Sequence, residues 1–319
     1  MRLKEFLKDI DDSVSTVNSS DFDIEIIYTK FVPSYNDSGI TFDNLDSKKK
    51  KCKRLESCVL YVDIRNSAKI SASKRPKTLA KMYSSFVRAM IQCGRYYGGH
   101  IRNIIGDRVM VVFDQADCFE NAVNTAILMN TVCKHILNKR IKGFDFEAGI
   151  GIDHGEMLIT KSGAIKKGEE KEFYRSLVWL GKPANVASRL TDLANKSWEF
   201  KGDKVVSEMH TYNHLANPQW YDFSMEHFLT SRIESTYSQY LKHKDASFSS
   251  YIIKSGTTYN GTHPPILITK AVYDGFKAAC PNDNAVKNNW FKEKLIYVKD
   301  YDGKTFGGDV IFSAVNDLS

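Results

Sequence analysis

The period of apolar positions changes several times along the chain. Leu3, Phe6, Leu7 and Ile10 fall on one face at helical spacing, which predicts a short amphipathic helix. Residues 22–31, with Ile24, Ile26 and Ile27, predict a strand. The polar, turn-rich stretch 33–47 follows. It ends in a basic run, Lys48 to Lys51 with Lys53 and Arg54, that reads as a solvated linker because no aromatics are interleaved. From Ser57 the pattern becomes regular. Residues 59–64 predict a strand and 77–97 a helix, with Leu79, Met82, Phe86, Met90 and Cys93 three and four apart. Pro76 suits its start, and Gly98 and Gly99 its end. Two apolar runs in 101–113 flank Gly106 and Asp107, a hairpin signal. A second helix is expected over 117–139, a strand over 144–152, and a return strand from Gly155 through Ile159.

Strand, helix, hairpin, helix, strand, strand is the order of the ferredoxin-like α+β arrangement, an antiparallel-rich sheet with helices on one face. Beyond it lie a charged loop with Lys166, Lys167 and Lys171, a strand over 177–180 and a helix over 184–195. Residues of about 199–263 are rich in Tyr, Ser, His and Trp with weak periodicity, and read as an insertion. A strand and helix resume over 265–276, and the chain closes with 295–298 and a hairpin over 305–312. The expected division is an N-terminal extension and basic linker, 1–55, followed by one domain, 56–319.

Composition narrows this little. Of 319 residues, 42% are hydrophobic and 26% charged, enough for a sizeable core. A net charge of +7 fits a handler of polyphosphates among many other classes. The six cysteines show no CxxC spacing, which argues against a zinc ribbon and for buried thiols in a reducing compartment. The N-terminus lacks the apolar core of a signal peptide, and no apolar run approaches the roughly 20 residues needed to cross a bilayer. A soluble cytoplasmic protein is expected, with neither nucleic acid nor membrane as partner.

Two acids carry candidate chemistry. Asp63 ends the apolar run VLYVDI, and Asp107 sits at the tip of an apolar hairpin. Two carboxylates on adjacent strand ends can hold divalent ions that also bind substrate phosphates. Such ions serve in-line displacement at phosphorus. Each acid alone is readily a turn or capping residue; the pair, separated by one helix, points to metal. Asn185 and Arg189, in NVASR, lie four apart on one helix face.

VLYVDIRNSAKIS, GGHIRNIIGDRVMVVF, AGIGIDHGEM and WLGKPANVASRL together resemble the class III catalytic domain of adenylate and guanylate cyclases across about residues 57–208. The resemblance implies that Asp63, the backbone carbonyl of Ile64, and Asp107 bind two Mg²⁺ or Mn²⁺ ions. It implies that Asn185 orients the ribose and that Arg189 steadies charge developing on the phosphorus oxygens. Metal acids and the Asn/Arg pair come from opposite chains in this family, and each set occurs once here. A head-to-tail homodimer with two composite sites is therefore expected.

The family's base-choosing positions carry Asn103 and Val178, with Arg102 beside the first, and neither purine-specifying pattern is present. That departure resembles the pyrimidine cyclases of bacterial Pycsar antiphage systems. It implies a nucleoside triphosphate substrate, CTP ahead of UTP, and a separate effector activated by the cyclic product. An adenylate cyclase with an atypical pocket and a catalytically silent nucleotide sensor are the alternatives. Two further patterns carry less. FGGDV at 306–310 resembles a diguanylate cyclase signature but lies near the C-terminus, where a turn is expected. His210 and His214 have zinc-like i,i+4 spacing, yet their polar neighbours mark them as surface histidines.

Overall fold

A computed structural model of the chain describes residues 2–142, 146–163, 175–211, 217–235, 240–256 and 258–317. The expected loop lysines 166, 167 and 171, and His214, lie outside them. The described residues form two compact units, 1–196 with 263–319, and 197–262.

The first unit is built on a mixed sheet around the 16-residue strand Lys49–Ile64. On one side it pairs antiparallel with Arg108–Val112, which pairs in turn with His100–Ile105. On the other it pairs antiparallel with Ala148–Gly163. Next come Ile266–Thr269, parallel to that strand, then Thr305–Gly308 and Lys292–Lys294. This is the antiparallel-rich α+β sheet that the element order predicts.

Side-chain alternation gives the central strand two apolar faces. Cys58, Leu60, Val62 and Ile64 point into the larger core. They are covered there by helices Pro76–Tyr96, Cys118–Thr131 and Lys270–Ala279 through Phe86, Met90, Met129 and Phe276. Leu55, Val59 and Tyr61 point to the other face, with Met110, Val112, Met157 and Ile159. Strands buried on both sides read as continuous apolar runs, as VLYV and VMVV do. The second face is covered by Ala184 and Ala187 of helix Lys182–Leu193 and by Val32 and Ile40 from the N-terminal extension.

Several expectations need correction. The basic run is strand, not linker: Asp23–Tyr28 pairs in parallel with its residues 49–54, so a boundary at 55/56 would cut a continuous strand. Acids of the extension answer its lysines, Lys50 to Asp43 at 2.8 Å, Lys53 to Asp37 at 2.7 Å and Lys51 to Glu25 at 3.4 Å. Gly155 does not start a return strand, because Ala148–Gly163 runs straight through it. Its φ of +155° and a Pro183 ring 2.9 Å from where a Cβ would sit explain the glycine instead. The return strand is Arg175–Leu180. At the C-terminus, Thr305–Gly308 is a single strand rather than a hairpin, and Asp309 beyond it pairs with Lys134.

The second unit contains a three-stranded antiparallel sheet, Gln219–Ser224, Val205–His210 and Phe248–Lys254, and a ribbon of Ser197–Lys201 with Thr258–Thr262. His210 is not a surface residue. Its ring is buried and its Nε2 lies 2.9 Å from the buried carboxylate of Glu208, which also accepts from Arg232. Burial pushes Glu208 up, but hydrogen bonds from Arg232, His210 and His243 outweigh it and hold the carboxyl below its ordinary range. This polar knot takes the place of an apolar centre in the unit, which is why its hydrophobic periodicity is weak.

Candidate active site

Asp63 has the parity of Val59 and Tyr61, so it emerges on the face covered by helix Lys182–Leu193. The hairpin brings Asp107 beside it. Ile105 pairs with Arg108 across a two-residue loop, and Gly106 has φ +62° with nothing near its missing Cβ. Positive φ at the first central position is what a tight hairpin of this kind demands. Asp63 Oδ1 and Asp107 Oδ2 are both buried and make no hydrogen bond among the described residues. Burial, then the neighbouring Asp63 carboxyl, raises Asp107 above its ordinary value. Two hard oxygens without partners, in carboxylates close enough to repel, fit a divalent cation. The side chain of Ile64 is spent in the larger core, so its backbone carbonyl alone is available for the role expected of it.

A raised Asp107 has a consequence for stability. The folded state holds this proton more tightly than the unfolded chain does. Stability therefore falls as pH rises from the ordinary carboxylate range near 4 through the raised value, and the penalty persists above it. Asp107→Asn is expected to lose that slope and to melt above the wild type at pH 7 without added metal. Melting curves from pH 4 to 8 check this; an unchanged slope would show that Asp107 is not the group responsible.

Helix Lys182–Leu193 sits directly on strand Ala148–Gly163. A Cβ on Gly151 would lie 2.3 Å from the Ala187 carbonyl oxygen and 2.4 Å from the Thr191 nitrogen. Val186, Leu190 and Thr191 are buried beneath the helix, while Asn185 is exposed. Arg189 is engaged by the loop at 299–300, where it pairs with Asp300 at 2.6 Å and donates to the Lys299 carbonyl. Ser188 and Asp192 of the same helix meet Arg108 of the hairpin, and Arg108 donates to Asp63 Oδ2 at 2.7 Å. Sequence reasoning missed Arg108 and Asp192. The available signal was parity: Arg108 is two residues from Met110 and so shares the face of Asp63.

The three base-recognition candidates separate. Pairing in the hairpin shifts register between Ile101 and Asn103, leaving Arg102 as the extra residue of a bulge. Ile101 opposes Val111 on the helix-side face, whereas Asn103 opposes Met110 and emerges, exposed, on the face of Asp63. Arg102 folds back onto the extension, donating to the Val32 carbonyl at 3.4 Å, and burial lowers its pKa. Val178 falls on the other face, since its neighbours Leu177 and Trp179 pack with Met110 and Ile159. It does not join Asn103. Trp179, whose indole nitrogen is buried without a partner among the described residues, holds the face expected of Val178. A cavity of about 770 Å³ lies elsewhere, in the N-terminal extension, lined by Tyr35, Phe42, Asp43 and Lys50 among others.

A sheet carrying paired acids at a strand end and a hairpin tip, beside a helix with Asn and Arg four apart, defines a nucleotide cyclase catalytic domain. Residues 50–235 match the family described as the adenylate and guanylate cyclase catalytic domain, and the chain belongs to that family. Among its relatives, a uridylate cyclase of Burkholderia cepacia is 29% identical over 164 residues, 50% of this chain and 66% of that protein. A uridylate cyclase of Gulbenkiania mobilis is 24% identical over 65% of this chain and 80% of its own length. A cytidylate cyclase of Staphylococcus aureus is 34% identical over 108 residues, 31% of this chain and 25% of that protein. No helix among the described residues is long and apolar enough to cross a membrane.

Proposed function

We propose that the chain is a pyrimidine nucleotide cyclase, converting CTP or UTP to the 3′,5′-cyclic monophosphate and pyrophosphate. The observation that carries the cyclase chemistry is the meeting of Asp63 and Asp107 on one sheet face, each with a buried oxygen that has no partner among the described residues. The uridylate and cytidylate cyclases among its relatives support the pyrimidine substrate.

In this reading Asp63, Asp107 and the Ile64 carbonyl would hold two Mg²⁺ or Mn²⁺ ions. The ions would lower the pKa of the ribose 3′-hydroxyl and neutralise the triphosphate. Asn185 orients the ribose. The Arg189 fork stabilises charge on the α-phosphoryl oxygens as the 3′-oxygen bonds to phosphorus and the bond to the leaving pyrophosphate breaks. Arg189 pairs with Asp300, and in the head-to-tail homodimer of this reading it serves the partner's site. Asn103 faces the base on the side of Asp63, its amide able both to donate and to accept, as the Watson–Crick edge of cytosine or uracil requires. Release of a cyclic pyrimidine nucleotide to a separate effector would place the chain in antiphage signalling.

Incubation with each of the four nucleoside triphosphates and Mn²⁺, with products identified by mass, tests this. Cyclic CMP or cyclic UMP is expected. Cyclic AMP alone would defeat the pyrimidine assignment, and no cyclic product from any triphosphate would favour a nucleotide sensor.

A further inference from the structure

Arg108 stands between two carboxylates. Its Nε and Nη2 both donate to Asp63 Oδ2, at 3.2 and 2.7 Å. Its Nη2 also donates to Asp192, and its Nη1 donates to Ser188 Oγ at 2.9 Å. Asp63 is the more enclosed partner, its side chain 17% exposed against 56% for Asp192. Ser188 and Asp192 lie four apart on helix Lys182–Leu193, the helix that also carries Asn185 and Arg189. Arg65, two residues after Asp63, adds a second tie by donating to the carbonyls of Thr191, at 2.7 Å, and Asp192.

A guanidinium on Asp63 Oδ2 bears directly on a cation that needs the same carboxylate. Like charges a few ångströms apart oppose each other strongly where the effective dielectric is reduced. The guanidinium has a second carboxylate within its reach, on the solvent side, and needs only a change of partner to use it.

We propose that Arg108 sets the metal affinity of the site. It shares Asp63 with the divalent cation and shifts toward Asp192 as the cation binds, so that loading of the acids is tied to the helix bearing Asn185 and Arg189. The proposal rests on the reading of Asp63 and Asp107 as metal acids. Arg108 is a positioning residue here, since it acts through Asp63 and touches no substrate.

The test is Mn²⁺ binding to the full chain without nucleotide, followed by the electron paramagnetic resonance of free Mn²⁺. Arg108→Met is expected to bind Mn²⁺ about tenfold more tightly than the wild type, and Asp192→Asn about tenfold more weakly, within the range by which groups behind a metal ligand tune affinity. The double variant should match Arg108→Met, because Asp192 acts through Arg108. Arg108→Lys keeps the charge and should stay near the wild type. Weaker or unchanged binding by Arg108→Met overturns the proposal while leaving the metal acids in place. If Arg108→Met does not fold, the exposed Asp192→Asn decides: weaker binding supports the proposal and unchanged binding overturns it. Absence of Mn²⁺ binding in every protein, wild type included, removes the metal reading and the proposal with it.

Discussion

Asp107→Ala and Arg189→Ala are each expected to lower cyclase activity by about 10³-fold or more when assayed alone. The first leaves one carboxylate where two hard oxygens are needed. The second removes a charge-assisted donor from the developing phosphoryl charge, where such donors contribute most. Mixed and allowed to exchange, the two inactive proteins should regain about one quarter of wild-type activity. In a symmetric dimer with random exchange, half the molecules are heterodimers. Each heterodimer has one composite site bearing both lesions and one bearing neither.

The outcome separates shared from self-contained sites because the two lesions are carried by different chains. Helix Lys182–Leu193 packs on strand Ala148–Gly163, which pairs with the strand bearing Asp63. If Arg189 served its own chain's acids, every chain in the mixture would still carry one defect and activity would stay at the floor. Arg189 would then have to leave Asp300. Recovery near one quarter supports the head-to-tail dimer. No recovery, with exchange verified by mass, removes it.

The parts of the site legible in the sequence are those set by local chemistry. Gly106 and Asp107 between two apolar runs specify a tight hairpin, and a hairpin tip is where the structure places the acid. The helix ends marked by Pro76 and Gly98 are similarly local. What escaped depends on partners distant in sequence. The lysines of 48–53 look solvated when read along the chain, and only the folded extension shows Asp21, Glu25, Asp37 and Asp43 opposite them. Strict alternation puts Arg102 and Asn103 on opposite faces. The bulge that carries Asn103 to the face of Asp63 leaves no residue signature of its own. Val178 is parted from Asn103 for the converse reason: its strand keeps regular alternation, which sets it on the opposite face. His210 was misjudged because a buried histidine among charged partners has the same polar sequence neighbourhood as an exposed one.

Gly151→Ala is expected to destabilise the protein by about 2–4 kcal/mol, and to impair catalysis further than that loss of stability explains. The added methyl would lie 2.3 Å from the Ala187 carbonyl oxygen and 2.4 Å from the Thr191 nitrogen, both backbone atoms of a helix that cannot yield by changing a rotamer. The helix must lift as a unit, and with it Asn185, Arg189, and the Ser188 and Asp192 contacts to Arg108. Gly106→Ala is the control. It places a methyl at φ +62° with open space around it, so its cost is backbone strain of about 1–2 kcal/mol. Thermal melts should rank Gly151→Ala below Gly106→Ala. Turnover at a temperature where both remain folded should separate them more widely, since one displaces the helix that carries Asn185 and Arg189 and the other only stiffens a turn. Equal turnover in the two folded variants would mean that the seat of the helix on Gly151 does not set the position of its side chains.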